Sequence, residues 1–157
     1  MQSQPEILSM RTKYFLLVLP ILLGGCTMTK KEEKIDVSDI VIPEADHEYF
    51  EVEQYFINWE NILKQNNEAY YVYFYSLTCS HCQELKNWIV ERALARGDVY
   101  FVKGSNKDII RSDVSNTIGV TSADDIAIMG YPSLIKIVNK TVTINAAGNT
   151  KIMELLK

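Results

Sequence analysis

Cys79-Ser80-His81-Cys82 is the segment whose residue types and spacing suit chemistry. Two thiols separated by two residues can close a disulfide and reopen it, provided one of them ionises near neutral pH, because the thiolate is the nucleophile. The segment directly follows an apolar and aromatic run, Ala69 to Tyr75, that reads as a buried strand, and it opens a stretch that reads as a helix. At a helix N-terminus the unpaired backbone N–H groups and the dipole favour an anion. A thiol held there has its pKa drawn from about 8.5 towards roughly 3.5–7.5. Cys82, one turn in, is expected on the packed side of the helix and within reach of Cys79. His81 adds a donor or a positive charge near the first sulfur.

Other chemistries fit these residues less well. A zinc site needs two further ligands. The only other histidine is His47, and the remaining cysteine, Cys26, stands in a different motif. Haem attachment wants a histidine directly after the second cysteine, where Gln83 stands. A purely structural bridge across two residues closes so small a loop that it removes little chain entropy. No metal, flavin or nucleotide cofactor is expected. Thiol–disulfide exchange is the chemistry that these residues suit.

The elements that must position the pair follow from periodicity and punctuation. Ala69 to Tyr75 has almost no polar break, as in a central strand covered on both faces. A helix is expected from Ser80 to Arg96, with Leu85, Trp88, Ile89, Ala93 and Leu94 inward and Gly97 as its stop. Asp98 to Lys103 reads as the next strand, and strand, helix, strand at this length implies a right-handed parallel crossover. Upstream, Tyr49 to Val52 is expected as a short strand. Tyr55, Phe56, Trp59, Ile62 and Leu63 fall at helical spacing, with Asn66-Asn67 ending that helix. Downstream, residues 106–116 are expected to be helical. Ser133–Val138 and Thr141–Ile144 read as a hairpin around Asn139-Lys140, and residues 150–157 as a final helix with Ile152, Leu155 and Leu156 inward.

The first 25 residues read as an address. Arg11 and Lys13 precede an apolar run from Tyr14 to Leu23, followed by Leu23-Gly24-Gly25-Cys26. A basic start, a short apolar stretch and small residues at a cut site make a secretory signal. The run is shorter than the roughly 20 apolar residues that a spanning helix needs. Leu-Gly-Gly-Cys resembles a bacterial lipobox, in which the cysteine is lipidated and the chain is cut just before it. Met1 and Met10 both remain open as the start. From Cys26 to Asp46 runs a charged tether that includes Lys30-Lys31-Glu32-Glu33-Lys34, a solvated spacer and not a lipid-binding patch. The expected location is the extracytoplasmic face of a bacterial membrane, held by a lipid anchor.

Composition agrees with one domain behind such a tail. The chain has 157 residues, 47% hydrophobic and 23% charged, with a net charge of −4. The acidic balance argues against a nucleic-acid partner. Three cysteines are too few for a disulfide-stapled miniprotein. Seven glycines and four prolines are too few for a collagenous or low-complexity chain.

Several of these pieces together resemble the thioredoxin-like family over residues 47–157. They are the strand at 69–75, Cys79-Ser80-His81-Cys82, Gly130-Tyr131-Pro132-Ser133 leading into Leu134-Ile135-Lys136-Ile137, the Asn139-Lys140 hairpin, and Ala147-Gly148. The resemblance is to the extracytoplasmic lipoproteins of that fold. It implies an α/β thioredoxin fold, a central mixed β-sheet flanked by helices on both faces. It further implies that Pro132 is cis and packs against the cysteines. Cys79 would then be the attacking thiolate, Cys82 the resolving thiol, and Ser80 and His81 the residues that tune the pair. The backbone of Tyr131 would pair with an extended substrate segment, and the bulk of its ring would narrow substrate choice.

Two departures from thioredoxins proper stand out. Tyr73 holds the position of their buried aspartate, six residues before the first cysteine, and Thr78 stands where they carry tryptophan. The implied partners are protein or peptide thiols and disulfides, together with a redox-recycling partner. The direction of electron flow stays open. Histidine before the second cysteine resembles strongly oxidising periplasmic enzymes, whereas the tether equally suits a surface-anchored reductase. A second reading of the resemblance is a non-catalytic accessory protein that binds a peptide partner, of the bacteriocin-export type.

Overall fold

The aromatic and β-branched run after Glu68 forms strand β1 (Ala69–Tyr75). Its lack of a polar face dictates a central place, and it lies between two neighbours in the sheet. Because side chains alternate along a strand, Tyr71, Tyr73 and Tyr75 enter one core, and Tyr70, Val72 and Phe74 the other. The computed structural model describes residues 45–104 and 109–157. The expected leader and Cys26 lie outside the described residues, as does the tether before residue 45.

Strand β2 (Val99–Lys103) runs parallel to β1, with Tyr73 opposite Phe101. On the other side β3 (Ser133–Val138) is antiparallel to β1, and β4 (Thr141–Ala147) is antiparallel to β3, giving the order β2-β1-β3-β4. The hairpin forms where expected, although β4 reaches Ala147 and not Ile144. Asn139 and Lys140 at its turn take positive φ values of 48° and 62°, the twist that matches two-residue hairpins.

Helix α1 (Ser80–Arg96) carries the crossover from β1 to β2. Its last turn closes on Gly97, whose φ of 70° is the left-handed conformation that glycine adopts at little cost. Leu85, Trp88, Ile89 and Ala93 are buried as expected, and burying each of the larger side chains contributes about 1.5–3 kcal/mol. Leu94 was expected inward but is exposed. It lies about 100° round the helix from Ala93, off the buried stripe. Helix α2 (Asn149–Leu155) joins α1 on the Tyr71–Tyr73–Tyr75 face, with Ile152 and the following Leu156 fully buried and Leu155 partly so.

The opposite face is covered by Trp59, Ile62, Leu63, Ile109, Ile126 and Ile128. The helical cover there is 3₁₀ in type, in turns at Trp59–Asn61 and Ala123–Asp125. Among the described residues no helix is long and apolar enough to cross a membrane.

Three expected elements differ. Tyr49–Val52 is not a strand but belongs to a 3₁₀ helix, Tyr49–Tyr55. Glu48 and Glu51 start it by capping each other's backbone, the reciprocal arrangement that opens helices. The stripe from Tyr55 to Leu63 is not one helix either. After Phe56 bridges β2 at Phe101, a separate 3₁₀ turn buries Trp59. Of the expected helix 106–116, residues 106–108 lie outside the described residues. The rest is extended chain, where Ile110 bridges Ile128, followed by a 3₁₀ turn at Ser115–Thr117. The apolar pair Ile109-Ile110 therefore serves a parallel bridge and not a helix face.

Candidate active site

After β1 the chain turns through Ser76-Leu77-Thr78, where the Ser76 carbonyl accepts from the Cys79 N–H at 3.2 Å. This turn delivers Cys79 as the N-cap of α1 in extended geometry, at φ −87° and ψ 117°. Its Sγ accepts a hydrogen bond from the Cys82 backbone N–H at 3.2 Å. The sulfur thus does the capping that a serine or aspartate oxygen commonly does. The N–H and the positive end of the helix dipole both point at that sulfur.

Cys79 is partly exposed, whereas Cys82 is wholly buried, and both stand as free thiols. Burial disfavours the Cys82 thiolate and, with the adjacent Cys79 sulfur, pushes its thiol up to about 12. The expected division between an accessible sulfur and a sheltered one is therefore present. The thiol of Cys79 donates to the carbonyl of Tyr131 at 3.3 Å.

That carbonyl belongs to a cis Tyr131–Pro132 bond, as expected for Pro132. Pro132 is buried and passes directly into β3. Two hydrogen bonds hold the loop around it: Ser133 Oγ donates to Gly130 O at 2.7 Å, and Gly148 N–H donates to Pro132 O at 3.1 Å. The second ties the loop to the residue that caps α2. The Tyr131 ring is half-buried and lies over Gly104, where an added Cβ would stand 3.2 Å from the ring carbon Cζ and from the hydroxyl. A side chain at 104 would have to displace that ring.

The residues between the thiols are less engaged. Ser80 opens α1 and is exposed. His81 is exposed and turns its Nδ1 to Glu84 Oε2 at 3.0 Å, and Asn149 Nδ2 donates to the same carboxylate oxygen at 3.2 Å. No hydrogen bond joins His81 to either cysteine among the described residues.

Beneath the pair lies a group of phenols that the spacing of the sequence does not reveal. Tyr49 donates its hydroxyl to the Cys82 carbonyl at 3.2 Å, from 33 residues earlier in the chain. Its ring stacks on Tyr75 at 4.2 Å, and Tyr75 lies parallel to Tyr73 at 6.0 Å. Burial holds the Tyr49 and Tyr73 phenols well above the ordinary tyrosine range. The one signal for Tyr49 is the Glu48–Glu51 spacing, which marks a helix start beside it. Among the described residues no three His, Cys, Asp or Glu side chains gather as a metal site.

The thioredoxin family model matches residues 52–157. Among solved structures the chain is similar to thioredoxin f2 of Chlamydomonas reinhardtii, at 19% identity over 64% of this chain and 90% of that one, with a TM-score of 0.42. It is similar to mitochondrial thioredoxin 3 of Saccharomyces cerevisiae, at 22% identity over 62% and 82%, with a TM-score of 0.40. Thioredoxin f of spinach chloroplast matches at 14% identity over 64% and 81%, with a TM-score of 0.44. No curated protein sequence matches significantly. The family match spans the strand, the cysteine pair, the cis-proline loop and the final helix, and on it the chain belongs to the thioredoxin family.

Proposed function

We propose that this protein is a thiol–disulfide oxidoreductase that acts on protein or peptide substrates outside the cytoplasm, from a lipid anchor at Cys26. The observation that carries the redox reading is the unequal pair at the head of α1, with Cys79 accessible and capped by a backbone N–H and Cys82 buried one turn below. In the reducing direction the Cys79 thiolate attacks a substrate disulfide. One substrate sulfur joins Cys79 and the other leaves as a thiol. Cys82 then attacks the Cys79 sulfur, the enzyme disulfide closes, and the second substrate thiol departs. The oxidising direction is the same path reversed.

Tyr131 supports substrate pairing, because its carbonyl already meets the Cys79 sulfur at 3.3 Å and an extended peptide laid there would bring its own sulfur to the same place. The anchor rests on the Leu23-Gly24-Gly25-Cys26 motif alone.

Reduction of insulin disulfides by dithiothreitol tests the redox reading, with wild-type protein against Cys79→Ser. The wild type is expected to accelerate the reaction and the variant to fall to the uncatalysed rate. Equal rates in the two would leave a peptide-binding accessory module as the function. For the anchor, Cys26→Ala is expected to leave the membrane fraction and lose the mass of its acyl chains. An unchanged mass and fractionation would count against it.

A further inference from the structure

Cys82 must shed a proton before it can attack, and among the described residues no carboxylate acts on it. The titratable groups that face it are Cys79 on its own helix, Tyr73 on β1, Tyr49 on the first 3₁₀ helix and Tyr131 on the cis-proline loop. All three tyrosines are neutral phenols. Tyr49 has already spent its proton on the Cys82 carbonyl. Tyr131 is half-exposed over Gly104.

Tyr73 differs from both. Its side chain is 0% exposed, and its hydroxyl is buried with no hydrogen-bond partner of normal geometry among the described residues. An unmet buried hydroxyl is costly, and a native core seldom keeps one without a reason. Its ring packs in the same core as Tyr49 and Cys82, and its hydroxyl favours the ionised form of the Cys82 sulfur.

We infer that Tyr73 is the positioning residue for resolution: its waiting hydroxyl donates to the Cys82 sulfur as that sulfur becomes a thiolate and attacks the Cys79 mixed disulfide. The inference rests on the redox reading above. Tyr73 keeps its own proton throughout. Cys82 releases one proton to solvent, the Cys82–Cys79 bond forms as the bond from Cys79 to the substrate sulfur breaks, and the departing substrate thiolate takes up one proton. A thiolate held by a hydrogen-bond donor in a dry site is stabilised without the like-charge repulsion that a carboxylate would bring to it.

The test uses the full chain, reduced, and an aromatic disulfide whose thiolate absorbs visibly, 5,5′-dithiobis(2-nitrobenzoate). Release of the first thiolate reports attack by Cys79, and release of the second reports resolution by Cys82. In Tyr73→Phe the second phase is expected to slow about tenfold relative to the first, the loss of one charge-assisted hydrogen bond. Its pH midpoint is expected to rise by about one unit. Tyr75→Phe, in the same stack, is expected to keep the wild-type ratio and midpoint. Tyr73→Phe should fold, since it removes an unmet hydroxyl, and its urea midpoint is expected to match or exceed the wild-type value. A wild-type ratio and midpoint in Tyr73→Phe, or an equal shift in Tyr75→Phe, would overturn the inference. A wild type with a first phase but no second would instead sink the redox reading itself.

Discussion

The backbone N–H of Cys82 points at the sulfur of Cys79 from 3.2 Å. One residue thus contributes twice to the site. Its main chain donates to the neighbouring sulfur, while its own sulfur is buried where charge is disfavoured. The asymmetry follows from helix geometry, because a residue at the N-cap and one three positions later share a turn but differ in depth. It needs no charged side chain, and His81 turns to Glu84.

Stability should fall on the alkaline side. Burial raises Cys82 from the ordinary thiol range to about 12 and holds Tyr49 and Tyr73 above the ordinary tyrosine range. Between these limits the unfolded chain gives up protons that the folded chain keeps, so stability is fully present below about pH 9 and is lost as pH rises towards 12. Urea unfolding of the reduced protein checks this, with a midpoint expected to hold up to about pH 8.5 and to fall steadily above it. A midpoint unchanged at about pH 11 would show that these groups are not sheltered as described.

Gly104 sets the place of the Tyr131 ring. A Cβ there would come within 3.2 Å of the ring and 3.3 Å of the Tyr75 carbonyl. Gly104→Val is therefore expected to push the ring outwards across the cis-proline loop and to cost about 1–2 kcal/mol through overpacking. In insulin reduction its KM should rise several-fold with kcat nearly unchanged, since the thiols themselves stay in place. Steady-state kinetics beside a urea titration read both effects. An unaltered KM would detach the Tyr131 ring from substrate choice.

The hairpin turn offers a stabilising change. Lys140 sits at φ 62°, where an L side chain is strained by about 1–2 kcal/mol. Lys140→Gly relieves that strain against the greater entropy of glycine in the unfolded chain, for an expected net gain of about 0.5–1 kcal/mol. Asn139→Ala should do the opposite, because Asn tolerates its own positive φ of 48° better than alanine does. Thermal or urea unfolding of the two variants decides the signs.

The parts of the fold written in local punctuation were legible before the structure. Helix α1 begins and ends where Cys79 and Gly97 place it, and β1 keeps the limits of its aromatic run. The hairpin sits on Asn139-Lys140. The stretch from Tyr49 to Leu63 was not legible, because an apolar stripe at helical spacing is satisfied equally by separate 3₁₀ turns. The break at Val52, with φ −112° and ψ 22°, has no residue that announces it. Residues 109–116 misled for a related reason, since Ile109 is buried against a segment far along the chain that no local pattern names. Within the site, the thiols and Pro132 could be read from motif and resemblance. Tyr49 could not, because it reaches Cys82 only through the tertiary fold. Tyr73 could be read as a departure, but not as a buried hydroxyl in the core that also holds Cys82.

The most direct test of the unequal pair is which single cysteine traps a substrate. Cys82→Ser and Cys79→Ser, each in the full chain, are incubated with oxidised insulin and analysed by non-reducing electrophoresis and mass spectrometry. Cys82→Ser is expected to hold a stable mixed disulfide through Cys79, because the accessible sulfur can attack and nothing resolves it, while Cys79→Ser holds almost none. Equal adducts on both variants, or adducts on Cys79→Ser alone, would contradict the division of labour between the two sulfurs.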